Sequence, residues 1–197
     1  MTQVTTRNLL VLGDLAVPPR SLLEAIERGT CSRERLSEIL RFDGQAVRVL
    51  VKGKYLDQNF WDKQPDAEYP GPRRRLSPTV VHIILLSFAI DSPNSLESVK
   101  EERTQHTLSL YPRVPILLVG CNKDLRNNSS LKKHLESMKQ VPVTWEKGEE
   151  VARYIQAIKY IECSQWTGEG VPGVVEAAAR ASLMTKKRRQ VQRCDVM

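Results

Sequence analysis

Two stretches, "TVVHIILLSFAI" (79–90) and "VPILLVG" (114–120), are apolar almost without interruption. A strand with one wet face alternates apolar and polar side chains, so unbroken runs of this kind belong to strands covered on both faces. "RNLLVLG" (7–13) and "KYIECS" (159–164) extend the series, and segments with helical spacing lie between the strands. These are "SLLEAIERG" (21–29), "SLESVKEERTQHTLSLY", "SSLKKHLESMKQ" (129–140), "EKGEEVARYIQ" (146–156) and a final amphipathic "GVPGVVEAAARASLMTKKRR". "QAVRVLV" and "KYLDQNFW", joined by Lys52-Gly53, form the pattern of an antiparallel hairpin. The expectation is a mostly parallel, doubly wound α/β sheet with helices on both faces. A chain of 197 residues with no internal repeat and no long linker fits one domain.

Other classes fall away. No run of 18 apolar residues is long enough to span a bilayer, and the N-terminal "MTQVTTRNLLVLGD" lacks the basic start of a secretory signal. The four cysteines (Cys31, Cys121, Cys163, Cys194) are far apart, without a CxxC or a neighbouring histidine. That predicts reduced thiols in a cytosolic compartment, with no disulfide or zinc framework. The net charge of +7 is concentrated at the end: residues 185–197 hold five basic side chains and one acid, leaving about +3 on the body. A basic tail on a nearly balanced body points to an anionic surface. Basic residues are not interleaved with aromatic ones, which favours lipid over nucleic acid.

From Phe42 onward, over roughly 150 residues, the chain resembles a Rho-type small GTPase of the Ras superfamily. "FAIDSPNSLESV" is similar to the fourth strand and following helix of that family, and "PRVPILLVGCNKDLRN" to the strand carrying its guanine-reading motif. "SMKQVPVTWEKGEEVA" resembles the end of the Rho insert helix with the segment after it, "YIECSQWTGEGV" the last base-binding loop, and "CDVM" a prenylation box. The resemblance implies a six-stranded P-loop-type sheet, a small-GTPase-like domain over 1–184, an insert helix at about 128–141, and a tail at 185–197.

The chemistry that this family needs is altered at every motif. Its phosphate loop, G-x-x-x-x-G-K-[ST], cradles phosphates with backbone N–H groups. In "GDLAVPPRS" Gly13 is the first glycine, Pro18 replaces the second, Pro19 the phosphate lysine, and Arg20 the hydroxyl that holds Mg²⁺. Proline has no N–H, so two consecutive donors disappear. At ~1.5–3 kcal/mol per hydrogen bond to a charged group, the loss is roughly two to four orders of magnitude in affinity. Leu40 stands at the Mg²⁺-linked threonine, and a hard cation takes oxygen ligands. The family's D-T-A-G-Q is Asp62-Lys63-Gln64-Pro65-Asp66. Asp62 keeps the metal-side carboxylate, Pro65 removes the N–H that senses the γ-phosphate, and Asp66 replaces the water-positioning glutamine. A shifted loop would be needed to recruit Gln64 instead.

In the base motif Cys121 replaces the asparagine or threonine, Asn122 the lysine that packs on the base, and Asp124 keeps the guanine-reading carboxylate. Ser164 remains of S-A-K, while Trp166 stands at its lysine. Two readings of Trp166 stay open: a lid over a collapsed pocket, or a stacking platform. Cys163 is expected to pack behind the base loop, and His82, His106 and His134 to pack or face solvent. Arg73, Arg74 and Arg75 are either a solvated run or a contact for an acidic partner.

The last twelve residues join a Cys-a-a-X box at Cys194, with methionine favouring farnesyl, to Lys186, Lys187, Arg188, Arg189 and Arg193. One lipid chain anchors only marginally, and a basic cluster supplies the second signal. The sequence therefore predicts a membrane-tethered pseudoGTPase, peripheral on a cytoplasmic membrane face. It needs no cofactor and binds Rho effectors or regulators but no nucleic acid. The alternatives are a divergent Rho GTPase binding GTP or GDP with Mg²⁺ and hydrolysing slowly or not at all, and, more weakly, a basic nucleic-acid binder.

Overall fold

The computed structural model describes residues 5–13, 19–31, 41–43, 46–51, 53–62 and 80–184. Pro18, Leu40, Lys63, Gln64, Pro65, Asp66, Arg73, Arg74, Arg75 and the tail from 185 onward lie outside them, as do the side chains of Pro19, Arg20 and Asp62.

A seven-stranded sheet runs β2-β3-β4-β1-β5-β6-β7. Its strands are β1 (Thr5–Gly13), β2 (Arg41–Asp43), β3 (Ala46–Val51), β4 (Lys54–Asp62), β5 (Ile83–Ala89), β6 (Ile116–Cys121) and β7 (Lys159–Glu162). β4, β1, β5, β6 and β7 pair in parallel, whereas β2–β3 and β3–β4 are antiparallel. The doubly wound α/β architecture is the expected one. Relative to six strands, the seventh is the three-residue edge strand β2, too short to leave a periodic signal. The β3–β4 hairpin turns at Gly53 with φ 74°, a conformation that glycine adopts without steric cost. Arg48 and Asp57 sit opposite one another in its register and form two hydrogen bonds, at 2.6 and 2.8 Å.

The unbroken apolar runs are the inner strands: every residue of β5 and of β6 is buried. Alternate side chains go to opposite faces. Leu9, Val11, Leu85 and Val119 pack with Leu22 and Ile26 of α1 (Pro19–Cys31) and with Val174 and Ala178 of α6 (Val171–Met184). Leu10, Ile84, Leu86 and Leu118 pack on the other face. Their partners there are α2 (Pro93–Ser98), the π-helical turn Val99–Arg103 and α5 (Trp145–Tyr154). The π-turn interrupts the segment expected as one helix, and α3 (Thr104–Leu110) completes it. The Val99 carbonyl accepts both the Thr104 N–H, the five-residue bond of a π-turn, and Thr104 Oγ1 at 2.6 Å. α4 (Ser129–Ser137) starts on Asn128, whose side chain accepts from the Leu131 N–H. His82 packs as expected: its Nδ1 accepts the Asn8 N–H at 3.0 Å, and burial with Arg7 nearby holds its pKa below the ordinary histidine value.

The Tyr160 ring fills space that Gly148 of α5 and Gly120 of β6 leave open. A Cβ on Gly148 would stand 2.2 Å from the Tyr160 ring, and one on Gly120 2.8 Å from its hydroxyl. Gly148→Ala should therefore destabilise the chain by ~1–3 kcal/mol, the range for overpacking a core. Gly173 meets nothing within 4 Å, so Gly173→Ala in α6 should be neutral or stabilising. Urea unfolding of the two variants measures the contrast.

Candidate functional site

In open α/β sheets, ligands bind outside the carboxyl ends of the parallel strands. Here Gly13, Asp62 and Cys121 close β1, β4 and β6. Among the described residues, Gly13, Cys121, Asn122, Asp124 and Ser164 lie at this rim.

On the phosphate side, Gly13 is buried at the end of β1 and registers with Ser87 of β5. α1 begins at Pro19. The first helical position is where proline costs least, because its missing N–H has no intrahelical partner there. Those same unpartnered N–H groups are the ones a helix start offers to an anion. Pro19, the first residue of the helix, brings no N–H to such a site, and neither does Pro18 before it in the sequence.

On the base side, Cys121, Asn122, Asp124 and Ser164 are brought together, and most of their polar groups are already used within the protein. Asn122 has φ 60°, a left-handed conformation in which asparagine is enriched, and leads into the 3₁₀ turn Lys123–Asn127. Its side-chain amide donates to Asp91 Oδ1 at 2.8 Å, and its backbone N–H donates to Gln165 Oε1 at 3.0 Å. Arg28 of α1 donates to the Gln165 carbonyl at 2.8 Å, so α1, the 3₁₀ turn and the 164–170 loop are joined through one glutamine. Lys123 N–H donates to the Cys163 carbonyl at 3.1 Å, and its ammonium pairs with Glu169 at 2.5 Å. Ser164 is fully buried; its Oγ accepts the Thr167 N–H at 3.0 Å. Asp124 is exposed in the first turn of the 3₁₀ segment.

Gln165 was not among the residues the sequence singled out. The signal was present, since "SQW" puts a carboxamide where the family's S-A-K has a methyl, and a buried carboxamide needs partners. Trp166 corrects one of its two readings. It is 83% exposed and so lids no pocket, because the turn closed by the Gly168 N–H on the Ser164 carbonyl at 3.0 Å carries it into solvent. Cys163 packs behind the base loop as expected, fully buried beside Cys121. Its hydrogen bond and burial push the Cys121 thiol well up, so that it stays protonated.

A second contact sets the rim from below. Arg126 grips Glu162 with both guanidinium ends, one at 2.7 Å, and its Nε donates to the Val143 carbonyl at 3.0 Å. Tyr160 donates its hydroxyl to Glu162 at 2.7 Å. The bond to Glu162 favours a charged Arg126, and burial pushes the Tyr160 phenol far up.

Residues 8–184 match the model of the Ras family. The chain belongs to that family, on its Rho branch. It is 36% identical over 187 residues to the GTP-binding protein rho5 of Schizosaccharomyces pombe, covering 95% of this chain and 92% of that protein. With the GTP-binding protein rho1 of the same yeast it shares 38% identity over 181 residues, 92% of this chain and 88% of the relative. The GTP-binding protein RHO1 of Candida albicans is 36% identical over 192 residues, covering 97% and 96%.

The buried pair makes a measurable difference between the thiols of this Rho-branch chain. Cys121 and Cys163, both at 0% exposure, should not react with an aromatic disulfide reagent in the native state over minutes, whereas all four thiols react in denaturant. A native titration that reaches the denatured count at the same rate would contradict the packing.

Proposed function

We propose that this Rho-branch chain is a pseudoGTPase: a signalling and binding module whose shape does not depend on a bound guanine nucleotide. The observation that carries the reading is the start of α1 on Pro19, directly after Pro18 in the sequence. Two adjacent donors of the phosphate cradle are missing for covalent reasons that no rearrangement of side chains restores. The base side supports it. Asn122 and Gln165 are engaged with each other and with Asp91 and Arg28, so a guanine would have to compete with formed hydrogen bonds.

Magnesium meets the same difficulty in sequence, where only Asp62 remains of the metal-side set and Leu40 offers no oxygen. Hydrolysis would need positioning and charge neutralisation at once, and Asp66 adds charge of the wrong sign. On this reading the body, residues 1–184, presents its surfaces to Rho effectors or regulators in competition with nucleotide-bearing relatives. The tail, residues 185–197, tethers it to a cytoplasmic membrane face through Cys194 and its basic cluster.

A divergent GTP-binding protein is the second reading, favoured by the exposed Asp124 and by the GTP-binding relatives. Titration with fluorescent GTP and GDP, with and without Mg²⁺, separates the two. The expected result is no saturable binding at micromolar concentrations. Tight, Mg²⁺-dependent binding would overturn the pseudoGTPase reading. Restoring the cradle with Pro18→Gly, Pro19→Lys and Arg20→Thr should raise affinity by about two orders of magnitude or more, the lower end of what two charged hydrogen bonds supply.

The anchor has its own test. Labelled farnesyl should enter the parent chain in the presence of a prenyltransferase and be absent from Cys194→Ser. Equal incorporation, or none in either, removes the tether.

A further inference from the structure

We propose that the groove between α3, α5 and the end of α6 is a docking face for an anionic bilayer. It is an open groove of about 750 Å³ lined in part by Leu108, Val114, Ile116, Tyr154 and Met184. Among the described residues, Lys100 and Arg113 are its only charged side chains, and no carboxylate lines it. Glu97 pairs with Lys100 at 3.5 Å, an exposed contact that a lipid phosphate can replace. Leu108, Tyr154 and Met184 are 44%, 68% and 81% exposed, and the Lys100 ammonium lies 5.4 Å from the centre of the Tyr154 ring. Apolar side chains and an aromatic ring flanked by cations match the depth profile of a lipid interface.

Two further observations select a membrane. Met184 is the last residue of α6, and Lys186, Lys187, Arg188 and Arg189 come within five positions of it, a span of at most ~18 Å. Groove and basic cluster can therefore meet the same surface. The chain's own tail is a poor occupant, because its cations would meet Lys100 and Arg113. Ile116 opens β6 while Cys121 closes it, so the groove lies at the opposite end of the sheet from the base loop. Docking would turn that rim away from the membrane. The proposal goes beyond the pseudoGTPase reading and does not require lipidation.

The test uses the full chain carrying Cys194→Ser, sedimented with phosphatidylcholine vesicles with and without phosphatidylserine. Binding should require phosphatidylserine. Lys100→Gln with Arg113→Gln should weaken it about 30-fold, two contacts at ~1 kcal/mol each. Leu108→Ser with Met184→Ser, both exposed positions, should weaken it as well. Hydrogen exchange should show vesicle-induced protection at 104–108 and 154–156. Parent-like binding by both groove variants, or loss only on neutralising Lys186–Arg189, would overturn the docking face and leave the tail anchor standing. Protection of the groove before vesicles are added would assign it to the tail and overturn the proposal too.

Discussion

The buried carboxylate of Glu162 organises the rim of this protein. An ionised carboxylate out of water is tolerated only when paired and hydrogen-bonded. Glu162 receives Arg126 on both oxygens and the Tyr160 hydroxyl on one of them. Arg126 in turn holds the Val143 carbonyl, so one ion pair ties β7 and the 3₁₀ turn to the stretch between α4 and α5. The arrangement works only because Gly148 and Gly120 leave room for the Tyr160 ring. Breaking one partner of such a pair leaves a buried charge uncompensated, so β7, the 3₁₀ turn and the stretch at Val143 are held together. The loops that clasp guanine in the resembled family are here positioned by contacts within the protein.

The same logic explains how the altered residues coexist. A site emptied by mutation alone would leave buried donors and acceptors without partners, each costing on the order of 1–3 kcal/mol. Gln165 answers that problem at the base loop by taking the Asn122 N–H and holding the Arg28 guanidinium. Asn122, unlike a lysine, suits its left-handed backbone and is short enough to reach Asp91. Lys123 and Glu169 close the loop at its exposed edge, where an ion pair contributes little. On the base side, Asn122 and Gln165, changed at separate points of the chain, are joined in space by a hydrogen bond.

Much of the fold was legible because β5 and β6 are buried on both faces, which leaves a run of apolar residues that periodicity cannot miss. The hairpin was legible from Lys52-Gly53. The edge strand β2 was not, since three residues carry no period and β-pairing at an edge is decided by the neighbour. Nor was the π-turn, because a single inserted residue keeps the amphipathic pattern on both sides. At the site, losses could be read from covalent chemistry: proline without an N–H, leucine without an oxygen. Compensations could not. Gln165 became visible only when the turn that places it against Asn122 was known, and the exposure of Trp166 depends on the same turn.

A protein of this shape has two chemically different ends. At the carboxyl ends of the strands, among the described residues, Asn122 and Gln165 of the base loops are hydrogen-bonded within the protein, and α1 opens on Pro19. A switch in a true GTPase gains its energy from γ-phosphate contacts that exist in one state and vanish in the other. Without differential contacts a ligand cannot move an equilibrium, however similar the scaffold. On the pseudoGTPase reading proposed above, recognition is built into surfaces that are present all the time, and regulation comes from where the molecule sits and how much of it is there. The apolar, cationic groove proposed above as a bilayer docking face would bear on the second of these, where the molecule sits. A tethered body has its effective concentration set by the membrane that holds it.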